Sequence, residues 1–576
     1  MSIAQINPGL LLFAVALPLL VAVGMARRGW RGGLTRLAPW AALPALAAVF
    51  VAPNGVESSS SWLFLGSRMG LDQTGRIFLL FTSGLWWLSG VFAQHYLVSD
   101  PGRARFFVFH LLAMSGNFGL ILAQDMVTFY VGFSLMSFAS YGLVIHNGES
   151  ESLRAGRVYL CLVVLGELML FAAIAMLATS ASSILLRDII TQPMSNTTLA
   201  LLVFGFGIKA GALPLHVWLP LAHPAAPVPA SAVLSGAMIK AGLLGWIRFL
   251  PLGQAELPYW GALVIAAGLA ASFYGALVGV TQTNPKTVLA YSSISQMGLI
   301  TIPLGLALVM PPLWPTALTA ILIYALHHAL AKGALFLGVG VASHARTRAP
   351  RGGMFLGLLV PALALAGAPL TSGAIAKAAL KAEIAWLPAP WPGLLTVALA
   401  LAAVGSTLLM ARFLWLIWSI PAPHGEGHFG LWGSWTVLLF GVAVVPWVLP
   451  IASDAGREAQ KTANVWASLW PCGVGLFLAW LVLLLSQKIP ARSSPLIPAG
   501  DVLSFVSWLT GRVAPRFRAT ATSGPAEQPA TLSQPCGKLA GSRARLAQLE
   551  VKLQKWTVAG LALLGLMAVF YVLLKK

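Results

Sequence analysis

Apolar stretches of about 18 to 25 residues follow one another along nearly the whole chain, each long enough to cross a bilayer. Roughly sixteen such spans are legible. They begin near Leu10, Pro39, Ile77, Phe106, Val127, Val158, Leu201, Ala230, Gly261, Val288, Leu318, Met354, Leu394, Trp435, Leu469 and Val558. The runs are continuously apolar and lack the period-two alternation of barrel strands, so helices are the economical reading. The pattern predicts an all-α polytopic membrane protein with about sixteen transmembrane helices. Pro214 in the seventh span and Pro369 in the twelfth each predict a helix break. The breaks lie five spans apart, and an odd number reverses orientation, as two inverted five-helix repeats require.

This pattern divides the chain. Residues 1–104 hold helices one to three, 105–250 helices four to eight, and 260–420 helices nine to thirteen. Helices fourteen and fifteen occupy 433–487. Residues 488–556 are richer in Pro, Ser, Arg and Thr and read as an extramembrane arm. Within it, SRARLAQLEVKLQKW places Leu546, Leu549, Leu553 and Trp556 at helical spacing, the mark of a lateral amphipathic helix. Residues 557–576 then return as a final anchor.

Of 576 residues, 58% are hydrophobic and 9% charged, which excludes an ordinary soluble domain. The net charge of +20 would suggest nucleic acid in a soluble chain, but here it follows the positive-inside rule. Arg27, Arg28, Arg31 and Arg36 follow the first helix, Arg103 and Arg105 the third, and Arg154 and Arg157 the fifth. His344, Arg346, Arg348 and Arg351 follow the eleventh, and Lys488 and Arg492 the fifteenth. With the N-terminus outside, all of these face inward. Lipid is thus the expected surroundings, the bacterial inner membrane the expected location, and nucleic acid is not a partner. Cys161, Cys472 and Cys536 are isolated, and no Walker or GxGxxG motif follows a strand, so no metal or cofactor is expected in this chain.

Ionisable groups within spans are costly and usually line a polar path or pair with one another. Most of the sixteen acidic residues fall in loops or at span ends; Glu167, in YLCLVVLGELMLFAAIAML, is deep. Lys209, Lys240, Lys332 and Lys377 all sit in apolar context beside small residues. Snorkelling explains a lysine near a helix end, but not four of them. A lysine deprived of water has its pKa pulled down and a nearby carboxylate pulls it back up, so such a group can switch near neutral pH. A relay of Glu167, Lys209, Lys240, His328, Lys332 and Lys377 is therefore expected, with His216, His223 and His327 as accessory candidates. Lys332 is expected at the centre, with Gly333 leaving room for water beside it.

GIKAGALPLHVWLPLAHPAAPVPASAVLSGAMIKAGLLG (207–245) resembles the signature of the antiporter-like subunits of complex I and the Mrp antiporters. TNPKTVLAYSSISQMGLI (283–300) and HHALAKGALFLGVG (327–340) match in order and spacing. The AHPAAPVPASAV stretch resembles in particular the large membrane subunit of hydrogenase-4 and formate hydrogenlyase. The resemblance implies that 105–250 and 260–420 are two inverted five-helix repeats, each holding a half-channel, with Lys209 as the broken-helix lysine of the first, Lys240 and Lys332 as connecting lysines, His328 near the central axis and Lys377 as the ionisable group of the twelfth helix. It further implies a glutamate in the fifth helix, where this chain carries Ser134 in VGFSLMSFASYGLVI. Glu167 is expected to take over that role and to meet Lys209, directly or through water. The implied activity is proton translocation within a membrane-bound oxidoreductase complex of NADH:quinone-oxidoreductase or hydrogenase type. Other membrane and peripheral subunits would carry the redox chemistry. The alternatives are a Mrp-type sodium/proton antiporter subunit and the proton-conducting partner of an inorganic-carbon uptake complex.

Overall fold

The structure is a computed structural model; it describes residues 3–64, 66–181, 183–344, 348–388, 390–420, 429–486 and 497–500. Two compact units are distinguished, residues 1–59 with 68–501, and residues 60–67 with 502–576. The first contains the helices described below. Apart from residues 497–500, the extramembrane arm and the final anchor expected over 488–576 lie outside the described residues.

Among the described residues, helices occupy the first fifteen expected positions. Thirteen are long and apolar enough to cross a membrane and two apolar ones are shorter. In chain order they are α1 (Gly9–Gly24), α2 (Arg28–Val51), α3 (Gln73–Tyr96), α4 (Arg103–Leu122) and α5 (Met126–Val144). Then come α6 (Ser150–Ser180), α7 (Asn196–Ala225), α8 (Val228–Phe249), α9 (Pro258–Val280), α10 (Pro285–Val309) and α11 (Pro311–Ala342). The twelfth position holds two pieces, α12a (Arg351–Ala366) and α12b (Ser372–Ile384). The series closes with α13 (Trp391–Trp418), α14 (Gly430–Val448) and α15 (Thr462–Leu485). The chain is a multi-pass membrane protein.

Local chemistry sets the helix ends. Asp125 starts α5 by accepting from the Thr128 N–H at 2.7 Å, and Asn284 starts α10 with Pro285 behind it. Asp72 starts α3 by accepting from the Gly75 N–H, and its carboxylate also takes both Arg248 nitrogens, from the end of α8, at 2.6 and 2.7 Å. Burial pushes the Asp72 carboxyl up. The Arg248 charge and these hydrogen bonds more than offset that, holding it below its ordinary value.

Both predicted breaks are present. The first piece of α7, Asn196–Ala210, ends at Gly211 in the left-handed region, and a new piece starts at Trp218. The twelfth helix stops at Ala366, turns through Gly367 and Leu370, both with positive φ, and resumes at Ser372. A third irregularity had no signal in the sequence: α8 contains a π-turn over Leu234–Met238. Small residues let helices close up around these irregularities. Along the α9–α10 seam a Cβ on Gly268 would lie 2.6 Å from the Gly298 carbonyl oxygen. As a result α8, α10 and α11 are almost wholly enclosed, whereas α15 is largely exposed.

Candidate functional site

The expected relay residues fall into three polar groups strung through this interior. The first lies between α5, α6 and α7. Ser134 Oγ donates to Glu167 Oε2 at 2.5 Å, so the buried acid of α6 reaches the side chain of α5. Lys209 occupies the last turn before the break in α7, and its Nζ donates to the Tyr159 hydroxyl at 3.1 Å. Tyr159 in turn donates to the Ser137 carbonyl oxygen at 2.8 Å. Lys209 and Glu167 are close enough to interact electrostatically, but the direct form of the expected pair is not what forms. Tyr159 lies two turns before Glu167 on α6, and the amine settles on the tyrosine.

The second group lies between α8, α10 and α11. Lys240 Nζ donates to the Ser235 carbonyl oxygen, inside the π-turn, at 2.6 Å. Lys332 Nζ donates to the Leu289 carbonyl oxygen at 2.7 Å. Between them, the Ser235 and Ser293 hydroxyls lie 2.8 Å apart, and Ser293 Oγ donates to the same Leu289 oxygen at 3.0 Å. His328 lies within electrostatic reach of both lysines, as does His223, which stacks on Phe336 at 4.7 Å. Both histidines are fully buried, and neither ring has a hydrogen-bond partner among the described residues. Lys286, at the start of α10, donates to the Ala226 carbonyl oxygen at 2.6 Å and so ties the end of α7 to α10.

One expectation here is overturned. Gly333 does not leave room for water. A Cβ there would lie 2.4 Å from Leu85 Cδ2 and 3.1 Å from Leu438 Cδ2. On the facing helix, a Cβ on Gly236 would lie 2.6 Å from Leu85 Cδ1. Leu85 of α3 thus fills the gap that the two glycines leave beside the lysines.

The third group surrounds the break in the twelfth helix. His327 Nδ1 and Ser372 Oγ are 2.8 Å apart, and Lys377 Nζ donates back across the break to the Ala366 carbonyl oxygen at 2.6 Å. The amine lies over Gly367, whose missing side chain makes the approach feasible: a Cβ there would be 2.1 Å from Nζ. Tyr324 donates to Gln296 Oε1 at 2.9 Å and Gln296 Nε2 to Ser406 Oγ at 2.9 Å, joining α11, α10 and α13. A small cleft beside them is lined by Tyr324, Lys377, Lys381 and Ser468.

His327 lies within electrostatic reach of Lys377 and Lys240 and so links the second and third groups. His216, just past the break in α7, stands against the Tyr274 ring at 5.2 Å. Glu383, which its position suggests is a span-end residue, is buried and accepts from Thr316 Oγ1 at 2.8 Å. Tyr159, Ser235, Ser293 and Glu383 are thus polar partners that position along the chain does not single out.

Residues 123–401, which carry Glu167 and the lysines and histidines of all three groups, match the family described as NADH:quinone oxidoreductase/Mrp antiporter, TM. This membrane core belongs to that antiporter-like family. Hydrogenase-4 component B of Escherichia coli is 32% identical over 291 residues, 48% of this chain and 43% of that protein. Na(+)/H(+) antiporter subunit A1 of Staphylococcus aureus is 29% identical over 353 residues, 56% of this chain and 44% of its own. The chain therefore spans less than half the length of these curated relatives. Among solved structures, a chain of the Mrp complex from Dietzia sp. DQ12-45-1b shares the fold with a TM-score of 0.74. The likeness covers 96% of this chain and 63% of that one at 22% identity.

Proposed function

We propose that this chain is the proton-translocating, antiporter-like subunit of a membrane-bound oxidoreductase complex. The observation that carries the reading is how the four lysines are held. Lys209, Lys240, Lys332 and Lys377 each rest on a neutral oxygen, a tyrosine hydroxyl or a backbone carbonyl. None makes an ion pair with a carboxylate among the described residues. Lysines inside a membrane pair with acids or with backbone carbonyls and mark ion paths. A lysine on a neutral oxygen can release and regain its proton without stranding a counter-charge.

In this reading α4–α8 and α9–α13 are two inverted repeats. Glu167 and Lys209 load the first half-channel, Lys240, His328 and Lys332 join the halves, and His327 and Lys377 serve the second. The unpartnered rings of His223 and His328 and the Ser292 and Ser295 hydroxyls mark where ordered water would bridge the groups. The chain would lie in the bacterial inner membrane with its N-terminus outside, and redox chemistry would belong to partner subunits. The likeness to hydrogenase-4 component B supports a redox partner. The likeness to Na(+)/H(+) antiporter subunit A1 supports a second reading, cation/proton exchange by a Mrp-type assembly.

The purified complex reconstituted in vesicles with an internal pH dye tests both. Electron-donor-driven pH change that is indifferent to sodium supports the first reading. Flux that requires a sodium gradient and no electron donor supports the second. No proton movement under either drive sinks both.

A further inference from the structure

We infer that the Ser235–Ser293 hydroxyl pair is a positioning link that passes the charge state of Lys332 to Lys240 across the contact between α8 and α10. The inference rests on the proton-translocating reading and adds to it two residues that reading does not use.

The geometry is continuous. Lys332 Nζ and Ser293 Oγ share one acceptor, the Leu289 carbonyl oxygen, at 2.7 and 3.0 Å. Ser293 meets Ser235 at 2.8 Å, and Ser235 holds Lys240 through its own carbonyl at 2.6 Å. All four side chains are essentially inaccessible to solvent. Ser235 serves both sides because the π-turn redirects its carbonyl toward Lys240 while its hydroxyl faces α10. Leu85, packed against Gly236, closes this part of the contact with hydrocarbon.

A hydroxyl carries one proton and can donate once. While Ser293 donates to Leu289, Ser235 has to be the donor between the two serines. A charged Lys332 donates to that same oxygen and, as the stronger donor, weakens its hold on the Ser293 hydroxyl. Ser293 then gains by turning its proton toward Ser235, and Ser235 must turn its own away. When Lys332 discharges, its amine becomes the weaker donor to that carbonyl and the pair turns back. The orientation of Ser235, one residue from the Leu85 plug and five from Lys240, therefore follows the charge on Lys332. No proton crosses the carbonyls; the pair transmits orientation, and water carries the charge.

The test uses the assembled complex in vesicles, with assembly checked by size-exclusion chromatography. Ser235→Ala and Ser293→Ala should each lower proton flux about tenfold, the effect of losing one hydrogen bond to a charged network. The double variant should fall no further, since both act through one link. Ser293→Cys keeps the volume but hydrogen-bonds weakly, so it should behave like alanine, whereas Ser293→Thr should restore most of the flux. Wild-type flux in either alanine variant, or in Ser293→Cys, overturns the link, as does an assembled Ser293→Thr complex as slow as alanine. Lys332→Ala run in parallel separates the two claims. If it is inactive while the serine variants are normal, only the link fails. If it is normal, the translocation reading fails.

Discussion

Ser134 Oγ on α5 and Glu167 Oε2 on α6 lie 2.5 Å apart. The resemblance puts a glutamate at position 134, and the structure brings the carboxylate of the neighbouring helix to the side chain that stands there. In the proposed relay, Glu167 serves that position from the neighbouring helix. Glu167→Gln should therefore lower proton flux by about two orders of magnitude, the scale of losing a positioned proton-transfer group. Glu167→Ala combined with Ser134→Glu should recover a measurable part. No recovery in the assembled double variant would show that the two positions are not equivalent.

Lys332 offers the sharpest test of switching. Lys332→Ala should abolish dye-reported proton movement in vesicles. Lys332→Arg should fare little better, because a guanidinium keeps its proton at any working pH. An arginine variant that pumps at the wild-type rate would mean that a fixed charge suffices there.

Leu85 and Gly333 should behave as one packing unit. Gly333→Ala drives a methyl into Leu85 Cδ2 and should destabilise the complex by about 1–3 kcal/mol, read as a lower thermal midpoint in detergent. Leu85→Ala should relieve that loss, so the double variant should be more stable than the sum of the singles implies. Additive losses would place the strain elsewhere.

The Asp72–Arg248 clamp predicts an acid-sensitive contribution to stability. Asp72 has a folded pKa below its ordinary value of 3.8. The clamp's contribution is therefore fully present above that value and is lost as pH falls through the lower folded one. Asp72→Asn should lower the thermal midpoint at pH 7. The gap to wild type should persist at pH 5 and close only below about pH 4. A gap that closes between pH 7 and 5 would assign it to another group.

The membrane architecture is legible because uninterrupted apolar runs and two prolines carry strong signals. Both breaks sit where Pro214 and Pro369 put them, and the four lysines stand out against their surroundings. The partners do not. Tyr159, Ser235 and Ser293 are ordinary residues in apolar helices, and what matters about Ser235 is a carbonyl redirected by a π-turn that propensity does not announce. Gly333 misleads for a different reason. A missing side chain reports a gap, and only the neighbouring helices decide whether water or Leu85 fills it. Glu383 shows the same limit, since its place near a helix end says nothing of the cover that α11 provides.

The lysines' neutral oxygen partners also shape the energy profile of the row. Discharging an ion-paired lysine would leave a bare carboxylate in a poor dielectric, a loss of several kcal/mol at each site. Discharging one that sits on a carbonyl or hydroxyl gives up about one hydrogen bond. The hold of each site on its proton is then set by neighbouring charges: Glu167 steadies the charge on Lys209, whereas Lys240 opposes that on Lys332. In the proposed relay, direction is set by these neighbouring charges together with whatever times Glu167 at one end and the Lys377 cleft at the other. Run against a large enough gradient, the same row should conduct backwards.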